Sequence, residues 1–593
     1  MSLVSVTGKK WTVKNTNQEE VNFLKDNFFL DDITSMLISN RNIKREKVQQ
    51  FLNPLIKDII PNPNILKDME KSVQRTIQAF KQKEKIGIFG DYDVDGASST
   101  AMLGNYFNET KNKFEIYIPD RKKEGYGPSI NGLDQLIKSD VKLIFTVDCG
   151  TLSYKPLEFA KSKKIDLIVL DHHQSEIKLP NAYSIVNPNR IDDNSNLNYL
   201  CAAGVCFMFL VALNRSLRKI NWFESNNIKE PNLIEFLDLV SLGTVCDVVP
   251  LVELNRAIVK QGLKILKNKK NLGIKTLLDI CKIESLPTPY HLGYVIGPRI
   301  NAGGRVGKCS HGANLLLSQN PRDSYKIASE LDNYNKERQF LEQDLINLVL
   351  NKLDNEINDP AIILYDEGWH QGIIGIVAAR IKDKFNKPVI IISVENNIGK
   401  ASARSILGFD IGAAIISAVD MKILQKGGGH KMAGGFTIDM NKIDDLKKFI
   451  FKKIKSTNKN YELKNIIVDS EISPSSLNID FFEKINLLSP FGSGNIEPRF
   501  IIKNLKILNS RIVGEKHIKS ILIGRDGSTI QTIAFNVEDN GLGPYLMKSN
   551  KKPIHIAGKL SLNEWKGKKN VEFIIDDISV NKNDDNTVPS SIG

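Results

Sequence analysis

Lys85 to Gly96 reads KIGIFGDYDVDG: a short β-rich run, KIGIF, that passes directly into Gly90-Asp91-Tyr92-Asp93-Val94-Asp95-Gly96. Working outward, EIYI (115–118), KLIFTV (142–147), DLIVL (166–170) and YSIV (183–186) have the same character, and the segments between most of them are long enough for helices. Strands alternating with helical segments predict a parallel, doubly wound α/β sheet. In such a sheet ligands bind beyond the carboxyl ends of the strands.

That is where the acids stand. KIGIF ends in the Asp91, Asp93, Asp95 motif, KLIFTV in Asp148-Cys149-Gly150, and DLIVL in Asp171-His172-His173. A further candidate, Asp247, follows the apolar run LVSLGTVC. Singly, each has a plain structural alternative: a turn-rich loop, a chance histidine pair, or a helix N-cap at Asp148. Together they would repel one another unless a cation neutralised them. Oxygen-rich sites favour Mg2+ or Mn2+, and imidazole shifts the preference toward Mn2+. Two such ions about 3.5–4 Å apart could clamp the attacking and leaving oxygens of a phosphate ester.

Composition agrees with an anionic partner. The chain has 593 residues, enough for about three or four domains, with a net charge of +13 and an isoelectric point near 9.1. A basic excess suits nucleic acid, though a lysine-rich proteome would produce the same figure. The six cysteines form no CxxC pair, so neither a zinc ribbon nor a disulfide framework is indicated. The N-terminus lacks the apolar region of a signal peptide. The longest apolar run, Ala202 to Leu213, is too short to span a bilayer, which needs about 20 residues. A soluble, cytoplasmic protein without membrane association is expected.

Elsewhere, residues 1–75 read as short helices broken by Pro54, Pro61 and Pro63. Tyr325 to Leu353 has an uninterrupted helical pattern suited to a connector. A second α/β unit begins near 360, and from about 465 short strands with turn signals suggest an OB-type β-barrel. There Trp565 and Phe491 could stack on bases or serve as core. The tail NKNDDNTVPSSIG is read as disordered. Basic, glycine-rich stretches complete the picture. Arg121 lies in PDRKKEGYG; Arg299, Asn301 and Arg305 in GPRINAGGRVG, read as a flexible loop; Ser402 and Arg404 in SARS; His430 in GGGHKMAGG. Arginine binds phosphate bidentately and glycine lets backbone approach. The last stretch lacks GK[ST], so it is not a nucleotide-binding P-loop.

The motifs GDYDVDG, PDRKKEGYG, VDCG, DHH, GTVCDVVPL, GPRINAGGRVG, LDNYNKERQ, HQGIIGIVAARI and GGGHKMAGG, in this order, resemble the DHH phosphoesterase superfamily and within it the bacterial RecJ exonucleases. The resemblance implies an N-terminal segment (1–75), a DHH domain (76–325), a connecting helix (326–355), a DHH-associated domain (356–460), an OB-type barrel (461–582) and a tail (583–593). It implies 5′-to-3′ hydrolysis of single-stranded DNA to 5′-mononucleotides in repair and recombination, with two divalent ions, Mn2+ or Mg2+. Asp93, Asp95, Asp148, His172 and Asp247 map onto metal positions, with Asp148 bridging. Asp148, His172, His173 and Asp91 map onto catalytic ones, His173 beside the scissile phosphate and Asp91 and Asp171 in support. Arg121, Arg299, Asn301, Arg305, Ser402, Arg404 and His430 map onto phosphate and DNA contacts, with Ser402 and Arg404 in a 5′-phosphate pocket. Single-strand-binding protein and a helicase are implied partners of a monomer. The alternatives are a DHH-type hydrolase of oligoribonucleotides or small nucleotides, and a DNA-binding relative without activity. Cys246 departs from the alanine common before the last aspartate.

Overall fold

Five parallel strands build the sheet anticipated by the opening motif: in spatial order Phe114–Tyr117, Lys85–Gly90, Val141–Val147, Asp166–Leu170 and Ser184–Val186. In chain order these are the second, first, third, fourth and fifth strands. The order therefore reverses between Lys85–Gly90 and Val141–Val147, and that switch point is where an open α/β sheet forms its ligand crevice. Four of the strands are buried almost throughout, because helices cover both faces, while the edge strand Phe114–Tyr117 is half-buried. On one face Phe145 packs 5.9 Å from Phe107 of the helix Val94–Glu109 and 5.4 Å from Phe209 of the helix Ala202–Lys219. On the other, Phe89, Ile144 and Val169 meet Leu133, Leu136, Leu157 and Ala160.

The computed structural model describes residues 3–268, 270–353, 357–456, 465–537, 541–547, 553–565 and 568–580. The tail expected at 583–593 lies outside them. Two compact units emerge. One comprises residues 61–249 and 261–461; the other comprises 1–60, 250–260 and 462–593.

In the first unit the helix Pro321–Asn351 runs for 31 residues, about 46 Å at 1.5 Å per residue. Its last turns bury Leu345 and Val349 against Ile362, Ile374, Val377 and Ile391 of a second sheet. That sheet has the order Lys426–His430, Ala433–Asp439, Ile398–Arg404, Val389–Glu395, Ile362–Glu367, with only the last pair parallel. Two sequence expectations are corrected here. Residues 427–435 are not a loop but a β-hairpin, since Gly427 to His430 pair in register with Phe436 to Ala433. Gly297–Val306 is not a flexible loop but a helix. Its proline sits in the first turn, where no amide donor is needed. Its glycines permit close packing: a Cβ at Gly304 would lie 3.0 Å from the Tyr92 ring.

In the other unit, Phe500–Val513, His517–Ile523, Thr529–Ala534, Lys568–Val580 and Ile554–Trp565 close into a five-stranded barrel through pairing of the first and last. Its core includes Phe500, Leu522, Ile556 and Phe573, with Phe491 packed against them. Phe491 is thus a core contact, while the Trp565 side chain lies outside what the structure describes. The N-terminal stretch is not purely helical. Lys10–Val13 pairs in parallel with Asn465–Val468, and buried Trp11 donates its indole N–H to Asp577 Oδ2 at 2.9 Å. The alternation in KWTV is too short to announce a strand, and its partner lies at the other end of the chain.

Candidate metal and phosphate site

Asp91 leaves the strand Lys85–Gly90, and Asp93 caps the helix Val94–Glu109 by accepting the Gly96 amide at 3.0 Å. Glycine is required at 96 because a Cβ there would fall 2.7 Å from Asp91 O. Asp95, in the first helical turn, is 1% exposed. Its carboxylate accepts the amides of Ala202 and Ala203 at 2.6 and 2.9 Å. It thereby caps a helix whose own preceding residue, Cys201, offers no side-chain cap.

Across the switch point, Asp148 holds a left-handed backbone at φ 60°. Such conformations concentrate at functional sites and persist only where the surroundings fix them. Here the Asp148 amide donates to Leu170 O at 3.1 Å, and the Tyr126 hydroxyl donates to Asp148 O at 2.8 Å. Val248, directly after Asp247, is also left-handed at φ 60°, a costlier state for a β-branched residue.

Asp171 organises the two histidines. Its Oδ2 accepts the Thr151 amide and hydroxyl, and its Oδ1 accepts the amides of His172 and His173 and meets His173 Nδ1 at 2.8 Å. Burial pushes the Asp171 carboxyl up, but the hydrogen bond and charge of His173, with the Thr151 hydroxyl, pull it well below the usual range. Both Asp171 oxygens are therefore taken up by hydrogen bonds with Thr151, His172 and His173. The loop is pinned further by Asn187, which donates to Thr151 Oγ1 and His173 O, and by Asn189, which donates to His172 O.

His172 Nε2 then stands 3.3 Å from Asp148 Oδ1, 3.6 Å from Asp247 Oδ2 and 3.9 Å from Asp95 Oδ2. It has no hydrogen-bond partner although it is buried, and neither has Asp91 Oδ1. Buried polar atoms without partners call for an explanation, and a cation supplies one. Among the described residues, three groups have ligand atoms mutually within 4.8 Å: Asp91, Asp93 and Asp148; Asp95, His172 and Asp247; and Asp148, His172 and His173. The electrostatics agree. Burial first, and then the neighbouring acids, push the Asp91, Asp148 and Asp247 carboxyls up, Asp247 to about 8. For Asp95 burial outweighs the pull of His172. His173 is 44% exposed. Burial lowers its pKa, but Asp171 and the acids around it hold it up at about 9.

A basic cluster forms a second centre. Burial, then Arg121, Arg338 and Arg404, lower the Arg305 guanidinium to about 10. Arg305 donates to Gly372 O at 3.1 Å, and Arg404 to Ser402 Oγ at 3.1 Å and to Ala403 O. They meet at the start of the helix Ile374–Phe385, which has no side-chain cap, and an uncapped helix start favours an anion. Gly375 makes the approach possible, because a Cβ there would lie 2.9 Å from Ser402 Oγ and 3.1 Å from Arg404 Nη2. His370 stands at the same place: a Cβ at Gly372 would lie 3.0 Å from its ring. Arg338 is paired with Glu342, but Arg305 and Arg404 have only neutral acceptors at their hydrogen bonds, which favours a bound phosphate.

The other sequence candidates distribute unevenly. Arg121 lies over the Tyr92 ring at 5.3 Å. Arg299 is engaged by Asp332 at 2.9 Å and by Val295 O, so the pocket-facing arginine of that helix is Arg305. Asn301 is half-buried on the same helix. His430 is exposed and shares a rung with Ala433 and Arg404, two strands from the latter. Sequence reading missed Tyr126 and His370, although both lie inside quoted motifs. It also missed Thr151, Asn187 and Asn189, for which the chain carries no signal.

A parallel sheet with acids and a histidine pair at its switch point, joined to a second α/β unit with a basic cluster, defines a DHH-type protein. Family models agree: the DHH family N-terminal domain matches residues 85–244, the DHHA1 domain 342–456 and the RecJ OB domain 468–577. The chain is 34% identical to the single-stranded-DNA-specific exonuclease RecJ of Escherichia coli over 543 residues, 89% of this chain and 93% of that one. It is 30% identical to that of Bacillus subtilis over 581 residues, covering 97% and 71%. The crystal structure of RecJ in complex with Mn2+ from Thermus thermophilus superposes with a TM-score of 0.79 at 25% identity, covering 96% and 80%. The chain belongs to the RecJ family.

Proposed function

We propose that this chain is a metal-dependent exonuclease that degrades single-stranded DNA from its 5′ end and releases 5′-mononucleotides. The carrying observation is the buried, unpartnered His172 Nε2 facing Asp148, Asp247 and Asp95 within 3.9 Å. In this reading Asp91, Asp93 and Asp148 hold one divalent ion, Mn2+ or Mg2+. Asp95, His172 and Asp247 hold another, with Asp148 shared. Bound ions would lower the pKa of a water and neutralise charge developing on phosphoryl oxygens. The residues of the chain do the rest. Asp171 orients His173, whose proton faces the scissile phosphate and stabilises its oxygens. Arg305, Ser402, Arg404 and the open helix start hold the 5′-terminal phosphate, which fixes how far the strand advances. The barrel contributes single-strand binding of its own kind. A role in repair and recombination follows, with a helicase and single-strand-binding protein as suppliers of substrate.

Digestion of a single strand labelled at its 5′ or 3′ end, with Mn2+ or Mg2+, tests this. The 5′ label should appear at once as mononucleotide while the 3′-labelled strand shortens progressively. The opposite order would overturn the polarity, and equal release from di- or trinucleotides would favour a small-nucleotide hydrolase. Absence of release with both ions would overturn the reading.

A further inference from the structure

Between two acids of the metal site, Asp91 and Asp93, stands a residue of a different kind, Tyr92. Its ring packs against the helix Gly297–Val306, which carries Arg305. A Cβ at Gly304 would lie 3.0 Å from Tyr92 Cδ2 and 3.4 Å from Tyr92 Cβ, so ring and helix backbone meet with no side chain between them. The same segment is tight against the long helix Pro321–Asn351. A Cβ at Gly303 would lie 3.3 Å from Leu331 Cδ2, and one at Gly307 would run into the Tyr334 ring. Arg305 therefore rides on a helix lodged between Tyr92 and the long helix. The ring also holds a second cation of the pocket. The Arg121 guanidinium carbon lies 5.3 Å from its centroid, within cation–π range, and the Arg121 amide donates to Cys309 Sγ at 3.4 Å. Burial and then the charge of Arg121 lower the Arg404 guanidinium, so Arg121 belongs to the surroundings of that pocket. One side chain thus touches both neighbourhoods: its chain neighbours are metal-site acids, and its ring bears on the elements that carry Arg305 and Arg121.

We propose that Tyr92 is the spacer that fixes the separation between the metal site and the 5′-phosphate pocket, and so makes one nucleotide the unit of release. The inference rests on the exonuclease reading and deepens it: Tyr92 is a positioning residue for a reaction that other side chains carry out. A strand whose terminal phosphate is held by Arg305 presents to the metal site whichever phosphodiester the separation selects. An aromatic ring suits a spacer, because it is stiff and close-packed surroundings pass on any displacement of it. The bare backbone at Gly304 leaves no slack, so a change on either side of the contact moves the helix that carries Arg305. A smaller side chain at 92 frees that helix and Arg121 together, and the strand then seats out of register with the metal site.

The test digests oligo(dT) carrying a radioactive 5′-phosphate with Mn2+ and reads the length of the first labelled fragment. Tyr92→Ala should lower the rate of mononucleotide release about 100-fold and raise the share of di- and trinucleotides about tenfold. Tyr92→Phe keeps the ring and should release mononucleotide as wild type does. Gly304→Ala pushes a methyl group against the ring from the other side and should lengthen the first fragment in the same way; it alone decides if Tyr92→Ala does not fold. Combined with Tyr92→Ala, its effect should be less than additive, because the methyl group enters space the ring has left. The rise in unfolding temperature on adding Mn2+ should be the same in Tyr92→Ala as in wild type. Loss of that rise would make Tyr92 a support of the acids and overturn the spacer. Mononucleotide as the sole first fragment from both Tyr92→Ala and Gly304→Ala, at whatever rate, would overturn it too. Failure of the wild type to release any fragment would overturn the exonuclease reading instead.

Discussion

Replacing Asp148 by asparagine separates the cost of gathering the acids from the use made of them. Asparagine tolerates the left-handed backbone at 148 and nearly matches the volume, so the change isolates the charge. Asp91, Asp93 and Asp148 bring ligand atoms within 4.8 Å of one another. At an effective dielectric near 20, two unit charges at that spacing repel by about 3–4 kcal/mol. Protonation caps the cost, since burial and neighbouring acids raise these carboxyls and Asp247 titrates near 8. Between about pH 4 and 8 the folded state without metal therefore binds more protons than the unfolded chain, and its stability falls as pH rises. Asp148→Asn in EDTA at pH 8 should raise the apparent unfolding temperature by a few degrees, for a gain of about 1–3 kcal/mol, and should flatten the decline with pH. Excess Mn2+ should reverse the order. Wild type should gain about 2.7 kcal/mol at a hundredfold excess over Kd, while the variant gains little and loses single-strand cleavage. Scanning fluorimetry from pH 5 to 9, with and without Mn2+, reads all of this. A variant less stable than wild type in EDTA at pH 8, or one stabilised equally by Mn2+, would refute the argument.

Three other perturbations test separate parts. A Cβ at Gly243 would sit 2.5 Å from Asp95 Oδ1, so Gly243→Ala should displace that carboxylate and lower Mn2+-dependent turnover about 100-fold or more; turnover near wild type would show that Asp95 need not be held there. Arg404→Ala should abolish the preference for 5′-phosphorylated over 5′-hydroxyl strands, raising KM for the former about 10- to 100-fold, in line with loss of a charge-assisted bond; a preserved preference in paired kinetic assays would count against the pocket. Burial lifts Asp238 to about 7. Below about pH 4 both states carry its proton, and from there to 7 only the folded state does, so its ionisation erodes stability as pH rises. Asp238→Asn should accordingly stabilise the protein at pH 7.5 by on the order of 4 kcal/mol and by far less at pH 4, as differential unfolding at the two pH values would reveal.

Much of the site was legible because the chemistry sits at strand ends. Hydrophobic alternation locates the strands from local sequence, and an acid directly after a strand must lie at the carboxyl edge of the sheet. Asp91, Asp148, Asp171 and His172 could be placed by that logic without coordinates. Arg305 and Arg299 could not be told apart, since both sit in GPRINAGGRVG. Only the packing of Arg299 against Asp332 on the long helix leaves Arg305 to the pocket. The helical state of that stretch was hidden for a related reason. Glycine, proline and asparagine are weak helix formers, and close contact with Tyr92 overrides the local preference.

The chain by itself determined the alternating strands, their acidic ends, the motif order that marks the RecJ family, and the barrel that follows. Those features are local, and local propensity encodes them. Tertiary structure alone decided which atoms meet. It brought Asp247 to His172, turned Asp95 to a distant helix start, set Tyr126 beneath Asp148, and paired Lys10–Val13 with Asn465–Val468. Each of these joins residues far apart in sequence. Such contacts are fixed by the packing of whole elements against one another, which no short window of residues specifies.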